Sequence, residues 1–140
     1  MNSSAGLGFV CKLGDLVTKT RQGKDFMKVD DGARARPPAL VLDSFIAALS
    51  SDARLLVFPL DEVPERPNGG VGVQLLALPE KTTLASVLTT DGKSLAVSGI
   101  KRKNRAVETL NAKQLAEHVG KRAQRGKLPD VGFKPDRLGE

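Results

Sequence analysis

The feature that most constrains the fold of this chain is a recurring hairpin pattern, in which two apolar runs flank a short polar turn. The clearest copy spans residues 48–58. A second copy spans residues 87–95 around Asp91-Gly92, and a shortened one spans residues 2–10. Three copies of one pattern in 140 residues predict a repeat protein.

The spacing of the predicted strands indicates how the repeats are arranged. Short strands, glycine or proline in every connection and a period of about 40–47 residues are typical of a propeller-like array, in which each repeat forms one blade. We therefore predict an all-β fold of about three blades, with one short helix near the C-terminus. The predicted blades cover roughly residues 1–43, 44–83 and 84–134, followed by a loose tail over residues 135–140.

Matches at one constant offset support the repeat. With the first two copies aligned, Leu56 falls on Phe9 and Gly70 falls on Gly23. Because the first copy opens inside its hairpin, we expect the chain to be a piece of a longer protein. Further strands are predicted over residues 24–29, 39–42 and 128–133, and a helix over residues 108–119.

The charge of the chain is concentrated near its end. The formal net charge is +6, and residues 101–140 carry the whole of this excess. A basic cluster on an otherwise neutral chain favours a polyanionic partner, most often nucleic acid. The alternative is a solvated basic tail.

Composition also bears on the cellular compartment. No apolar run approaches the ~18 residues that a membrane-spanning helix needs, and residues 1–30 lack the pattern of a secretory signal. A single cysteine, Cys11, is typical of proteins in a reducing compartment. We expect a soluble, cytoplasmic protein without a membrane partner.

No catalytic or metal-binding constellation is present in the sequence. The single histidine, His118, is expected to be a partly exposed helix residue, and Cys11 a small buried apolar residue; together they cannot form a zinc site. Residues 92–94 and 120–127 resemble phosphate loops, but both lack the glycine spacing of the Walker loop. We predict no catalytic residues, no metal and no cofactor in this chain.

Basic loops flanked by glycine are the strongest functional pattern. Glycine lets a backbone approach phosphodiesters closely, and Lys and Arg neutralise phosphates. Because the chain has no Tyr or Trp to stack on bases, duplex DNA held by its backbone is the better match. The alternative is that these loops only keep an open array soluble. The predicted DNA-binding residues are Arg21, Lys24, Lys101, Arg102, Lys103, Arg105, Lys121, Arg122, Arg125 and Lys127.

The order of several short motifs resembles a known family. The motifs run from about residue 5 to residue 133, which is most of the chain. Together they are similar to the C-terminal domain of the A subunit of bacterial DNA topoisomerase IV, and to the related domain in the A subunit of gyrase. They are Gly8-Phe9-Val10-Cys11, Asp15-Leu16-Val17, Gln22-Gly23-Lys24, Leu56-Val57-Phe58-Pro59, Gly120-Lys121-Arg122 and Arg125-Gly126.

The resemblance implies a partial β-pinwheel, in which neighbouring blades exchange strands and DNA bends over a basic outer rim. In gyrase that rim is headed by a box rich in glutamine, arginine and glycine, which this chain has only in degenerate form at residues 124–127 and 22–24. The implied role is duplex binding within topoisomerase IV, which relaxes and decatenates chromosomes before segregation. The implied partners are duplex DNA, the rest of the A subunit, and the B subunit, which is the ATPase.

The resemblance also limits the chemistry of this chain. The parent enzyme would be an ATP-dependent isomerase that uses ATP and Mg²⁺ through other domains and cuts DNA with a tyrosine. This chain contains no tyrosine, so we predict a non-catalytic, nucleoid-associated accessory piece. Two other functions stay open: a protein-interaction repeat module without direct DNA contact, and a free-standing basic RNA-binding protein.

Overall fold

The computed structural model describes residues 1–17, 23, 25–29 and 31–139 of the chain. Within these residues the protein consists of three β-sheets and one short α-helix, which confirms the predicted all-β class. The strands are β1 (Asn2–Ser3), β2 (Leu7–Gly8), β3 (Ala35–Arg36), β4 (Phe45–Ser50), β5 (Leu55–Pro59), β6 (Val73–Gln74), β7 (Leu84–Thr90), β8 (Ser94–Lys101), β9 (Asn104–Asn111) and β10 (Lys134–Leu138), and the helix α1 is Ala112–Ala116.

The three sheets repeat one arrangement, a hairpin joined by a strand from later in the chain. Sheet 1 has the order β3-β1-β2-β6, sheet 2 the order β5-β4-β7, and sheet 3 the order β10-β8-β9. In each sheet the first strand of the hairpin lies between its partner and the later strand, and all neighbours are antiparallel. The three predicted repeats are therefore present as three sheets of similar arrangement.

Two of the three predicted hairpins are confirmed, and the third is wrong. β4 pairs with β5, as expected. The first copy was expected to open inside its hairpin, but β1 supplies the incoming strand, because Asn2 pairs with Gly8 of β2. β7 and β8 flank the predicted turn at Asp91-Gly92 but belong to different sheets, so the third hairpin is β8–β9. The Asp91 carboxylate accepts hydrogen bonds from the backbone N–H of Lys93 and Ser94. This local turn forms whether or not the flanking strands pair.

The predicted helix over residues 108–119 is also wrong over most of its length. Residues 108–111 belong to β9, and α1 occupies only Ala112–Ala116. Asn111 caps α1, because its side chain accepts a hydrogen bond from Gln114 N, and the Gln114 side chain in turn accepts one from Asn111 N. Leu110 and Leu115 are both buried, but Leu110 belongs to β9 and Leu115 to α1. They therefore do not lie on one face of a single helix, as their spacing had indicated.

The end of the chain differs from its prediction as well. The tail expected to be loose from residue 135 is instead part of β10, whose Leu138 pairs with Val97. A register shift between Pro135 and Arg137 accommodates the proline. The strands predicted over residues 39–42 and 128–133 are absent, and the described part of residues 24–29 contributes one isolated bridge, from Met27 to Gly70. The limits of the blades remain a prediction. β7 falls within the predicted third blade, residues 84–134, but it pairs with β4 and so completes sheet 2.

Sheet 2 is the central layer of the protein because both of its faces are buried. Alternate residues of β4 point to opposite sides, so Ala47 and Leu49 contribute to one core and Ile46 and Ala48 to the other. The first core is completed by sheet 3, and the second by the segments around β6 and β7. Burial on both faces explains why β4 and β5 are each almost continuously apolar.

The outer edges of β2 and β5 are covered by two equivalent segments. Residues 64–74, here called edge loop 1, cover β2, and residues 118–127, here called edge loop 2, cover β5. Without these loops each strand would present unpaired backbone N–H and C=O groups.

Edge loop 2 holds the β5 edge at two points. At one end, Val57 N donates to His118 O and Gly120 N donates to Val57 O, at 2.9 and 2.8 Å. At the other end, Leu55 and Lys127 exchange two backbone hydrogen bonds of 2.8 and 3.0 Å. The loop therefore leaves the edge after Gly120 and returns to it at Lys127.

Edge loop 1 holds β2 and Val10, two residues beyond it, in the same way. Val10 N donates to Pro64 O and Arg66 N donates to Val10 O, at 3.0 and 2.7 Å. The loop returns at Val73, which pairs antiparallel with Gly8. Val10 and Gly8 take the places of Val57 and Leu55, which confirms the offset at which the first two copies were aligned.

Each edge loop has a glycine where its backbone crosses the covered strand. A Cβ added to Gly126 would lie 2.5 Å from the carbonyl carbon and oxygen of Leu55, and one added to Gly72 would collide with the backbone of Gly8. Real Cβ atoms essentially never approach backbone this closely. The glycines are thus required by the close approach of the two backbones.

We expect Gly126→Ala to lower the free energy of unfolding by about 1–3 kcal/mol, because the added methyl group must push edge loop 2 away from β5. Gly14→Ala is the matched control, since a Cβ at Gly14 meets nothing within 4 Å. Urea unfolding of both variants measures the difference. Equal stability of Gly126→Ala and the unaltered chain would contradict the described packing.

Candidate nucleic-acid interface

Edge loop 2 presents several cations on one short, anchored segment. The side chains of Lys121, Arg125 and Lys127 are exposed. Besides its two contacts with β5, the loop is held by Ala123 N, which donates to Leu75 O, and by Gln124 O, which accepts from Ala77 N. These anchors are backbone atoms, so the exposed side chains of Lys121 and Lys127 are not needed to hold the loop in place.

Edge loop 1 does not share this charge. It has the same backbone path as edge loop 2, but Arg66 is its only basic residue, and Glu65 lies beside it. The basic character therefore belongs to the sequence of edge loop 2 and is not a requirement of the fold.

Arg122, a predicted DNA-binding residue, is instead part of the packing. It is half-buried, and its Nη1 donates to the backbone oxygen of Gln74 at 2.6 Å. Its backbone N donates to Glu62 Oε1 at 3.0 Å, and its Nε is buried without a hydrogen-bond partner. The guanidinium thus joins edge loop 2 to β6, and little of it faces solvent.

Asp52 couples edge loop 2 to the β4–β5 turn. Its Oδ2 lies 3.3 Å from Arg125 Nη2 and 3.5 Å from Arg54 Nε, and Arg54 Nη1 donates to Gly126 O at 3.2 Å. Burial would raise the pKa of Asp52, but hydrogen bonds from Ser50 and Arg125 together hold it below its usual range. The carboxylate stays ionised and orients both guanidinium groups. Because its partners are partly exposed, the pairs contribute little to stability.

His118 lies at the start of edge loop 2 and is buried, which corrects the expectation of a partly exposed residue. Only 6% of it is exposed, and its Nδ1 lies 3.2 Å from Leu55 O. It was expected on a helix, but it lies beyond the end of α1, where the chain turns back toward β5. Burial lowers the pKa of His118 and outweighs the hydrogen bond with Leu55 O and the charge of Glu117, which raise it; the charge of Lys127 adds a small further lowering.

The second group of predicted residues lies at the tip of the β8–β9 hairpin. Lys101, Arg102 and Lys103 are exposed there. Arg105, four residues after Lys101, is paired with Asp136 of β10 through two hydrogen bonds of 2.9 and 3.1 Å. This pairing lowers the pKa of Asp136 and fixes Arg105 against the sheet.

The structure therefore divides the predicted list into two clusters. Lys121, Arg122, Arg125 and Lys127 share edge loop 2, and Lys101, Arg102, Lys103 and Arg105 share the β8–β9 hairpin, whereas Arg21 and Lys24 lie outside the described residues. Sequence reasoning missed Arg54, which adjoins edge loop 2, and Lys134, whose strand pairs it with Ile100. Neither has a local pattern that distinguishes it from other surface cations.

The described residues contain neither a metal-binding group nor a membrane-spanning helix. Among them, no set of three or more His, Cys, Asp or Glu side chains could hold a metal ion, and no helix is long and apolar enough to cross a membrane.

We expect Arg122→Ala to lower the free energy of unfolding by about 1–3 kcal/mol, because it leaves the Gln74 carbonyl without its charged donor. Lys121→Ala, the matched control in the same loop, should change it by less than about 0.5 kcal/mol. Urea unfolding measures both. If the two variants were equally stable, Arg122 would have no packing role.

We expect the protein to lose stability as the pH falls below 6.5. The pKa of His118 is lowered on folding, so the unfolded chain binds its proton at a higher pH than the folded chain. The stability from the neutral, buried ring is complete above pH 6.5 and is lost as the pH falls through the folded pKa. The free energy of unfolding should therefore be smaller at about pH 5.5 than at about pH 7.5, and His118→Gln should reduce this difference. An unchanged difference would mean that another group titrates.

The chain has relatives of known identity, although no family model matches it. It is 31% identical over 137 residues to the A subunit of DNA topoisomerase 4 from Salmonella typhimurium, covering 91% of this chain and 18% of the relative. It is 33% identical over 132 residues to the same subunit from Rickettsia bellii, covering 94% of this chain and 17% of the relative. The chain thus spans less than a fifth of these relatives.

Solved structures extend the likeness to the fold. The C-terminal domain of E. coli ParC matches 99% of this chain with a TM-score of 0.83 and 26% identity, and this chain covers 58% of that one. The C-terminal domain of DNA gyrase A matches 95% of this chain with a TM-score of 0.72 and 16% identity, and is covered to 44%. The predicted β-pinwheel is confirmed by these likenesses. Shared sequence over most of the chain and a shared fold make this protein a homologue of the C-terminal domain in the A subunit of bacterial DNA topoisomerase IV.

Proposed function

We propose that this chain is a non-catalytic, duplex-DNA-binding accessory domain of a type II topoisomerase. The observation that carries the proposal is edge loop 2, a basic segment whose shape is fixed by backbone contacts at both ends and in its middle. Lys121 and Lys127 project from it into solvent, and Arg125 is exposed while also pairing with Asp52. A rigid loop loses little conformational freedom when its cations meet phosphates, so their binding energy is retained.

The contacts expected of such a loop are with the DNA backbone. The chain has no Trp or Tyr to stack on bases, and phosphate contacts position a protein on a duplex without reading its sequence. Cations on one loop would draw the duplex toward one side of the protein, which supports the proposed bending. Affinity should depend strongly on salt and weakly on base sequence.

The homologous relatives supply the wider setting of the proposal. As part of topoisomerase IV, this chain would bring DNA to the rest of the A subunit, and to the ATPase of the complex (the B subunit), during relaxation and decatenation of chromosomes. ATP, Mg²⁺ and the tyrosine that cuts DNA would belong to other parts of that enzyme. The protein would then be found with the nucleoid.

Charge reversal in edge loop 2 tests the proposal. We expect Lys121→Glu with Arg125→Glu to weaken binding of a random-sequence duplex at least tenfold, and to reduce the salt slope by about 2, one for each lost phosphate contact. Fluorescence anisotropy at about 50 and about 200 mM salt measures both quantities. Arg122 is left unaltered because its change would disturb the fold.

The matched control is Lys12→Glu with Lys28→Glu. Both lysines are exposed, lie outside the two basic clusters and give the same change in net charge. The control should retain most of the affinity. Equal loss in both double variants would show a diffuse charge effect, and binding that ignores salt would contradict phosphate contacts altogether.

One observation favours the second candidate, a protein-interaction module. A groove of about 420 Å³ lies between sheet 1 and sheet 2, and its lining is mostly apolar. Leu13 and Leu40 border it and are 73% and 65% exposed. Exposed apolar surface of this kind is typical of docking sites. On this alternative the chain would bind no duplex at either salt concentration.

A further inference from the structure

The β8–β9 hairpin is a two-stranded ribbon whose last residue pair and turn extend beyond the third strand of its sheet. Its ladder continues to the pair Lys101–Asn104, whereas β10 reaches only Ile100 through its pair with Lys134. All residues from 100 to 105 are exposed on both strands. The last turn of the hairpin therefore stands free of the third strand.

The turn itself has an unfavourable backbone for its residues. Arg102 and Lys103, the two residues between the paired positions, have φ angles of 50° and 70°. A two-residue hairpin turn with positive φ at both positions strongly prefers Asn-Gly, because side chains with a Cβ crowd the backbone in this conformation. Such local strain is characteristic of positions kept for function.

The cations of the tip have no partners within the protein. In the part of the chain that the structure describes, no hydrogen bond or ion pair engages the side chains of Lys101, Arg102 or Lys103. Lys134 adds a further exposed cation at the base of the ribbon. Arg105 differs, because Asp136 neutralises it and ties the ribbon to β10.

The shape and the charge of the tip together fit a groove of duplex DNA. The major groove is about 12 Å wide and admits a two-stranded β-ribbon. Three consecutive cations, Lys101, Arg102 and Lys103, at the end of a narrow hairpin can reach the phosphates that border that groove. Stacking on bases is not needed for such contacts.

We propose that the β8–β9 tip is a second DNA contact, separate from edge loop 2, which enters the major groove and grips the phosphates at its walls. This inference rests on the proposed function. The strained turn keeps Arg and Lys in place of Asn and Gly because the cations serve binding. At Arg102 and Lys103 the strained backbone lowers the stability of the fold, whereas the two cations raise the affinity for DNA.

The test replaces the turn by its preferred sequence. Arg102→Asn with Lys103→Gly should raise Tm by about 2–8 °C, since the strain is relieved. The same variant should weaken duplex binding about tenfold and reduce the salt slope by about 2. Lys81→Gly is the matched control: Lys81 is exposed and has a φ of 66°. It should also raise Tm, with affinity retained.

Chemical probing locates the tip on the duplex. Dimethyl sulfate methylates guanine N7, which faces the major groove. We expect the unaltered chain, at concentrations that saturate the duplex, to reduce methylation of guanine N7 along the whole duplex, and the tip variant to lose that protection. The edge loop 2 variant Lys121→Glu with Arg125→Glu should keep it at concentrations that saturate the duplex.

The outcomes separate the two proposals. If the edge loop 2 variant loses affinity and the tip variant does not, the tip contact is wrong and the proposed function stands. If the unaltered chain binds no duplex, both fail. If the tip variant loses affinity while guanine N7 protection remains, entry into the major groove is wrong. Loss of affinity together with loss of protection supports the inference.

Discussion

The closure of the β5 edge is the interaction on which the rest of the structure depends. β5 belongs to the sheet that is buried on both faces, so its remaining backbone groups have no access to water except along that edge. Residues from beyond α1 satisfy them through hydrogen bonds at Leu55 and Val57. Because buried backbone groups are costly when unpaired, this contact joins the third repeat firmly to the second.

The use of backbone anchors separates the fold from the chemistry of the loops. The two edge loops follow one path, held at equivalent positions and each crossing its strand at a glycine. Their side chains differ freely: one loop is almost neutral and the other is strongly basic. A repeat of this kind can gain or lose a cationic surface by substitution, without any change in its hydrogen-bond framework.

The sequence predicted the repeat, the all-β class and the first two hairpins because these depend on local patterns. It placed the third hairpin at Asp91-Gly92, since that turn is made by a carboxylate and needs no strand pairing. The real turn at Arg102-Lys103 has no turn residues to reveal it. Among the cations, charge alone could not show that Arg105 has a partner in β10, because such partners come from distant positions in the chain.

The order in which the edges are closed has a consequence for synthesis. β5 leaves the ribosome well before residues 118–127 are made. Its edge and apolar faces therefore stay uncovered until that later segment can pair with it. Proteins are made at about 5–20 residues per second, and unpaired strands are prone to aggregate during such intervals. A nascent chain of this type is therefore most exposed to aggregation in the interval before its third repeat has emerged.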